Sequence, residues 1–433
     1  MQAVRLSAHD EACWQPREAR PDLSKGCPTC AFYPVRGRMT GLRAWRHFDY
    51  VLLVVTILLT AYGVVMIYSA NLGSPDPRLH NLWRRQALIG AAGIGLILLL
   101  AAFPRNYQWL GDFWWLAYLL AVVLLVLVFF FGERDQVTGQ MIGWFDLGVF
   151  RLQPAFPAMI LLAISAGAVL SHRRRRRGSP APPLFGAPKT SIVNETTRRP
   201  DFVSYLTSAV MALALAALVF LQPDMATAAV FVFIWLTMLL ESDIEVRYLV
   251  LTVALGLGSL IPLWDLMAHY PYMRERVLGF LNPSSNPDVK YQLEQAFIAI
   301  GSGGLLGKGL GQGTQSQLRY LPVRHTDFIF AVLAEELGFV GVMLLFALYL
   351  VLFLRLLRIV LIAPDIFGRL LVTGTLAMIL FQVVVNVGMN LGLLPVAGLP
   401  LPFISYSPAA LLTMMVGIGM AENVAMRHRK LEF

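Results

Sequence analysis

The segment from Gly301 to Gly341 gathers the groups in this chain best suited to chemistry. At its centre, Arg324-His325-Thr326-Asp327-Phe328-Ile329-Phe330 sets a cation, an imidazole, a hydroxyl and a carboxyl just ahead of a long apolar run. A carboxyl at the edge of an apolar helix is costly unless it is paired or working. Two readings of Asp327 stand side by side. It can cap the helix that follows it. Alternatively, kept ionised by the helix N-terminus in a space with little competing water, it can take a proton from a hydroxyl as a general base. Glu335 and Glu336 lie two turns deeper, and a helix-packing ion pair is the plainer role for them. His325 has no second histidine at ligand spacing and reads as a hydrogen-bonding loop residue. A Ser-His-Asp hydrolase has no support, because no G-x-S-x-G is present.

Ahead of this centre run Gly301, Gly303, Gly304, Gly307, Gly309, Gly311 and Gly313. Glycines let backbone turn sharply or come close to a ligand. Lys308 is not followed by Ser or Thr in the frame of a phosphate loop, which argues against a nucleotide cradle. Irregular backbone at membrane depth survives only when buried in protein or lining a wet cavity, so a cavity is expected here. Tyr291 to Ile300 reads as a short amphipathic helix at the membrane surface.

The elements that must position these groups are apolar helices. The chain has 433 residues, 57% of them hydrophobic and only 14% charged. A soluble chain would carry about 25% charged residues. The apolar runs approach the roughly 20 residues needed to cross a bilayer. Ten spans are expected, at 48–70, 84–103, 110–131, 156–171, 203–221, 225–241, 247–267, 327–356, 368–391 and 403–425. The fold class is thus all-α and polytopic, with about ten transmembrane helices and a large extracytoplasmic loop, 268–326, between spans 7 and 8. The membrane domain is expected over 48–426, between tails at 1–47 and 427–433.

The net charge of +9 is distributed as in a membrane protein, not a nucleic-acid binder. Arg36, Arg38, Arg43 and Arg46, the run Arg173 to Arg177, Arg355, Arg358 and Arg369, and Arg427, Arg429 and Lys430 all fall on one side of ten spans. The positive-inside rule makes that side, and both termini, cytoplasmic. Arg84 and Arg85 stand at an outer helix end, and Arg274, Arg276, Lys290, Lys308, Arg319 and Arg324 lie in the outer loop, where they suit an anionic ligand. Residues 172–201 read as a solvated cytoplasmic linker whose arginines anchor at anionic membrane lipids. Residues 1–38 are polar and hold Cys13, Cys27 and Cys30. Cys27-Pro28-Thr29-Cys30 is half a zinc site without a second half, so a disordered extension is expected. Met39 is a plausible alternative start, which would leave 1–38 outside the native chain, and no signal-peptide core precedes residue 48.

Several ordered motifs carry a resemblance. Phe280-Leu-Asn-Pro, Tyr291-Gln-Leu, Gly301-Ser-Gly-Gly-Leu-Leu-Gly-Lys-Gly, Tyr320-Leu-Pro, His325-Thr-Asp-Phe-Ile-Phe-Ala, Glu335-Glu-Leu-Gly-Phe-Val-Gly and Asn386 through Tyr406 resemble the SEDS family (shape, elongation, division and sporulation) over about residues 45–430. Gly313-Thr314-Gln315 and Gly388-Met389-Asn390 look more like the elongation members than the division members. The resemblance implies a ten-span peptidoglycan glycosyltransferase that polymerises lipid II, releases undecaprenyl pyrophosphate and works with a class B penicillin-binding protein in the inner membrane. It implies Asp327 as the catalytic base, with a divalent cation such as Mg2+ or Mn2+ as a possible aid at the pyrophosphate and no resident metal site. The expected substrate-binding residues are Trp144, Gln153, Lys308, Gln315, Arg319, His325, Thr326, Ser405 and Tyr406, with Glu335, Glu336 and Pro402 structural.

The chain also departs from the family's pattern. Ala155, Phe156 and Met159 stand where a Ser, a Glu and a Lys are usual, Gly143-Trp144 stands for Arg-Trp, and Ser407-Pro408-Ala409-Ala410 stands for Gly-Gly-Ser-Ser. Gln222-Pro223-Asp224 and Arg85-Gln86 are kept. The lost ion pair motivates a rival reading, a scaffold that binds the lipid-linked precursor or the transpeptidase without polymerising. A lipid flippase is a further rival, compatible with an intramembrane acid, but no inverted repeat is evident.

Overall fold

The computed structural model describes residues 47–72, 77–103, 106–132, 143–146, 151–171, 202–267, 269, 271–282, 287–321 and 323–427. The tail with its cysteines, the 172–201 linker and the last residues, 428–433, lie outside the described residues.

Each of the ten apolar runs contains a helix. They are α1 (Tyr50–Asn71), α2 (Leu82–Ala102), α3 (Trp114–Phe131), α4 (Ala155–Ser171), α5 (Phe202–Phe220), α6 (Met225–Glu241) and α7 (Val246–Met267). After α8 (Pro271–Leu281) and α9 (Pro287–Ser302) come α10 (Ile329–Ile362), α11 (Ile366–Asn390) and α12 (Pro408–Ala425). A small antiparallel hairpin, β1 (Phe145–Asp146) and β2 (Arg151–Leu152), precedes α4. Among the described residues, seven helices are long and apolar enough to cross a membrane, and α7 with its bend makes an eighth, while α4 and α6 are shorter apolar helices. Pro262 lies inside α7, next to a bend of 40°. Proline removes a helical hydrogen bond and clashes with the preceding turn, which accounts for the bend.

Two of the expected boundaries that move concern chemistry. The eighth span begins at Ile329 rather than residue 327, so Asp327 sits in the turn before the helix. The tenth begins at Pro408 rather than residue 403, because proline opens a helix readily at its first position and 399–406 forms a turn instead. The amphipathic segment is longer than expected: α9 buries Leu293, Ala296 and Ala299 and exposes Tyr291, Phe297 and Ile298.

The bundle's interior is apolar, and so is much of its outside: Phe130 is 76% and Leu361 77% exposed. Apolar surface on that scale suits hydrocarbon, not water. Small residues set the close approaches inside. At Gly63, a Cβ would stand 2.3 Å from the Phe403 carbonyl oxygen, so α1 passes against the 399–406 turn only with glycine there.

Ion pairs fix one end of the bundle. Arg355, late in α10, donates to Asp49 ahead of α1 at 2.9 Å, and the Asp49 amide donates to Glu422 of α12 at 3.0 Å. Arg369 pairs with Glu241 at 3.1 Å and with Asp243 at 2.9 Å. At the opposite end of α1, Arg324 donates through Nε to the Ala70 carbonyl at 2.7 Å. A guanidinium there satisfies a terminal carbonyl that the helix leaves open. Asp327 therefore belongs to the end opposite the Arg355 and Arg369 pairs.

Candidate functional site

Within α10 the chain departs from helix at Gly338, with φ 65° and ψ −162°. The left-handed region costs a side-chain-bearing residue energy, and glycine avoids that cost. The glycine-rich segment docks into this break. Lys308 and Gly309 amides donate to the Glu335 and Glu336 carbonyls at 3.0 and 2.9 Å, and Phe339 and Val340 amides donate to the Gly304 and Leu305 carbonyls at 2.9 and 3.1 Å. A Cβ at Gly307 would lie 2.1 Å from the Glu336 carbonyl oxygen, so backbone meets backbone here. The glycines thus let an irregular segment of turns replace the helical hydrogen bonds lost at the break.

The two acids complete this joint. Glu335 Oε1 accepts from Lys308 Nζ at 2.8 Å, from Thr314 Oγ1 at 3.0 Å and from the Gln315 amide at 3.1 Å. Glu336 accepts from the Ser69 hydroxyl and, at 3.4 Å, from Ser316 Oγ. Both carboxylates are thus tied into the joint between the glycine-rich segment and α10. Lys308 through its amine and Gln315 through its main-chain amide both take part in this joint.

The turn that carries Asp327 is held by its own main chain. The Tyr406 amide donates to the His325 carbonyl at 2.9 Å, and Ser405 Oγ donates to the Thr326 carbonyl at 2.5 Å. Ser405 is buried and also accepts from the Leu401 amide at 2.8 Å, so its hydroxyl is occupied by the fold. The Pro402 carbonyl accepts from Tyr349 of α10 at 2.5 Å. Tyr406 is held by a hydrogen bond from Arg85, and its ring lies 6.3 Å from the His325 ring. Burial and the neighbouring Arg324 bring His325 down to about 4, so it is neutral at pH 7.

The helix cap falls on Phe328, whose side chain makes no capping bond. Asp327 stands one residue outside it, half-buried, with Thr326 hydrogen-bonded to its carboxylate. Burial lifts its carboxyl to about 6; Arg276 and Thr326 pull it down, and the nearby Asp224 carboxylate pushes it up. Arg276 and Asp327 both flank Gly398: a Cβ there would lie 3.6 Å from Arg276 Nη1 and 3.8 Å from Asp327 Oδ2.

Asp224 is the acid that sequence reasoning passed over as part of a tight turn. It caps α6, accepting from the Thr227 amide at 3.0 Å, and its other oxygen accepts from Gln153 Nε2 at 3.0 Å. Burial raises its carboxyl above the ordinary range, with Thr227, Arg276 and Gln153 opposing. Gln222 anchors the turn by donating to the Leu125 carbonyl of α3 at 3.0 Å. The β1–β2 hairpin brings half-buried Trp144 alongside this corner: Phe145 pairs with Leu152, and a Cβ at Gly143 would stand 3.2 Å from Gln222 Oε1. Arg319 has a left-handed φ of 64° and lies close enough to Arg324 to disfavour its charge.

The site therefore combines two half-buried carboxylates, Asp327 and Asp224, with one guanidinium, Arg276. Neither Asp224 nor Arg276 was among the expected site residues. The signals were present, since the Gln222-Pro223-Asp224 turn and the Arg274–Arg276 pair both stood out in the sequence. What was missing was the fold that brings α6 and α8 to the same corner. Phe156 and Met159 are 1% and 0% exposed and belong to the apolar core of α4.

The comparisons agree with this architecture. The sequence model of the FtsW/RodA/SpoVE family, described as "Cell cycle protein", matches residues 49–430. Over 389 residues the chain is 35% identical to the peptidoglycan glycosyltransferase MrdB of Escherichia coli K12, covering 89% of this chain and 95% of that one. Its fold is similar to a chain of the solved structure "Structural coordination of polymerization and crosslinking by a peptidoglycan synthase complex", with TM-score 0.67, 30% identity and coverage of 87% and 97%. It is also similar to the crystal structure of the rod shape determining protein RodA of Thermus thermophilus, with TM-score 0.61, 28% identity and coverage of 89% and 99%. With the family's sequence model spanning nearly all of the described bundle, the chain belongs to the FtsW/RodA/SpoVE family of integral membrane proteins, the SEDS family.

Proposed function

We propose that this chain is a peptidoglycan glycosyltransferase that polymerises lipid II at the Asp327 corner, in the elongation role of RodA. The observation that carries the reading is the carboxyl of Asp327, lifted to about 6 and held outside the helix cap with Arg276 and Asp224 beside it. A base with a pKa near the working pH is both ionised and a competent proton acceptor. Asp327 takes the proton of the 4-hydroxyl on the acceptor's N-acetylglucosamine. The freed oxygen attacks the anomeric carbon of the lipid-linked donor. The bond from that carbon to the pyrophosphate oxygen breaks, and undecaprenyl pyrophosphate leaves with the electron pair. Arg276 supplies positive charge where the pyrophosphate charge develops.

Mg2+ commonly binds through one or two carboxylates together with substrate phosphates. Asp224 and Asp327 fit that donor pattern, although among the described residues no group of three or more His, Cys, Asp or Glu gathers as a metal site. Mg2+ or Mn2+ arriving with the pyrophosphate would add charge neutralisation at the leaving group.

The site end then faces out of the cell, and the Arg355 and Arg369 end, with both termini, faces the cytoplasm of the inner membrane. A class B penicillin-binding protein is the partner that crosslinks the product. The deciding experiment measures glycan polymerisation from fluorescent lipid II by the purified chain with its transpeptidase. The unaltered protein makes polymer and Asp327→Ala makes none; parental polymerisation by Asp327→Ala removes the assignment.

One observation favours a second reading. Phe156 and Met159 make part of α4 dry where the family usually carries an ion pair, as in a scaffold that binds lipid II or the transpeptidase without catalysis. Asp224 and Arg276 supply a carboxylate and a cation at the Asp327 corner, which supports the enzyme over the scaffold. Robust polymer from the unaltered chain eliminates the scaffold.

A further inference from the structure

Three consecutive carbonyls, those of His325, Thr326 and Asp327, each accept a hydrogen bond from the stretch between Asn386 and Tyr406. The third is served twice. Asn386 Nδ2 and Asn390 Nδ2, one helical turn apart on α11, both donate to the Asp327 carbonyl at 3.1 Å. Residues four apart lie on one helical face, so the spacing suits convergence on a single acceptor.

Both side chains are fully buried, and each amide uses its second N–H as well. Asn386 donates to the Leu399 carbonyl at 2.7 Å and Asn390 to the Asn386 carbonyl at 2.8 Å. The amide four residues on from Asp327, that of Ala331, goes to the Phe328 carbonyl at 3.0 Å instead, as does that of Val332 at 3.2 Å. A buried carbonyl needs a partner, and here two side chains from a different helix provide it. Helix capping does not require this arrangement, since the cap residue is Phe328.

We infer that Asn386 and Asn390 are positioning residues for the base: by holding the main chain of Asp327 against α11 they fix where its carboxylate stands. The inference rests on the polymerase reading and deepens it. The carboxylate is two bonds from the Cα whose carbonyl is held, so freeing that carbonyl lets the base drift from the acceptor hydroxyl. Displacement of a reacting group by about 1 Å can cost about 100-fold in rate.

The test uses the full chain with its transpeptidase and purified lipid II. Initial rates are measured against lipid II concentration and pH for Asn386→Leu, Asn390→Leu and the double variant, each normalised to monodisperse protein. Thr375→Val, which removes a hydroxyl bonded only to Leu371 of α11, is the control and keeps the parental rate. Each asparagine variant is expected to lose about tenfold or more in kcat with KM within about twofold, and its rate–pH profile is displaced. Because both amides serve one carbonyl, the double variant falls no more than about threefold below the worse single one, whereas independent losses multiply. If a leucine variant yields no monodisperse protein, Asn386→Ala and Asn390→Ala, which add no apolar bulk, replace them. Parental kcat and pH profile in the double variant overturn the inference while leaving the polymerase standing. So do multiplied losses that follow the melting temperature. No polymer from the unaltered chain overturns both.

Discussion

The side-chain amide of Gln153 donates to the carboxylate of Asp224 at 3.0 Å, joining the start of α4 to the cap of α6. The other carboxylate oxygen holds the Thr227 amide. Gln153 therefore reaches Asp327 through Asp224. Asp224→Asn separates the two roles of this acid, because asparagine caps a helix about as well as aspartate. The variant is expected to keep the parental melting temperature and to lose polymerisation about tenfold, a loss typical of a single group that acts electrostatically. Equal losses of stability and activity would make Asp224 a cap alone.

The dependence of rate on pH follows from the carboxyl of Asp327, at about 6. A general base works ionised, so the rate falls as pH drops through 6 and levels off above it. Asp224 pushes this carboxyl up and Arg276 pulls it down. Asp224→Asn therefore moves the acid limb to lower pH and Arg276→Gln moves it to higher pH. Stability runs the other way. A carboxyl raised in the folded state binds more protons there than in the unfolded chain between about pH 4 and 6, so its contribution weakens as pH rises through that window. Rate–pH profiles of the three proteins test the signs. Shifts of the same sign in both variants would place the limb on another group.

The apolar helices were legible in the sequence because a span of lipid demands a run of apolar residues, and such runs are local. Asp327 itself was conspicuous for the same reason, as an acid beside an apolar run, but the turn that carries it ahead of Ile329 was not. Its partners were not, because they come from α6, α8 and α11 and meet only in the fold. Lys308 and Ser405 show the converse. Their residue types suit a sugar or a pyrophosphate, but the Lys308 amine goes to Glu335 and the Ser405 hydroxyl to Thr326. A glycine-rich run reads as a place for a ligand to approach, and here the approaching group is the backbone of α10.

Gly338 tests that last point. Its φ of 65° is unfavourable for alanine, and a Cβ there would lie 2.3 Å from the Gly307 amide nitrogen. The obstacle is backbone, which cannot swing aside as a side chain can. Gly338→Ala is expected to destabilise the protein by more than the roughly 1 kcal/mol of a left-handed alanine alone. Scanning fluorimetry in detergent would register it as a lower melting temperature. An unchanged melting temperature would mean that the break in α10 relaxes without cost.

Phe156 and Met159 allow the charge content of α4 to be tested in both directions. Both sit in the apolar core, at 1% and 0% exposed. Phe156→Glu alone buries a carboxylate without a partner, a change expected to cost about 3–5 kcal/mol if the charge is retained. Adding Met159→Lys, one turn along the same face, supplies a partner and is expected to recover part of that loss. Melting temperatures of the two single variants and the double one give the coupling. Additive losses would show that this part of α4 has no room for the pair.

Lys308 and Glu335 offer the sharpest separation of scaffold from site. Glu335 is 0% exposed and Lys308 27%, with 2.8 Å between them. Removing one member of a buried pair leaves the other charge unpaired and costs more than removing both. Lys308→Met is therefore expected to lower stability by about 3 kcal/mol, less whatever solvent screening reaches the lysine, and Lys308→Met with Glu335→Gln to lower it less. The joint they close carries the half-helix that begins just after Asp327, so polymerisation should follow the fraction folded. KM for lipid II should remain parental in the double variant. A raised KM with parental stability would instead return Lys308 to the substrate.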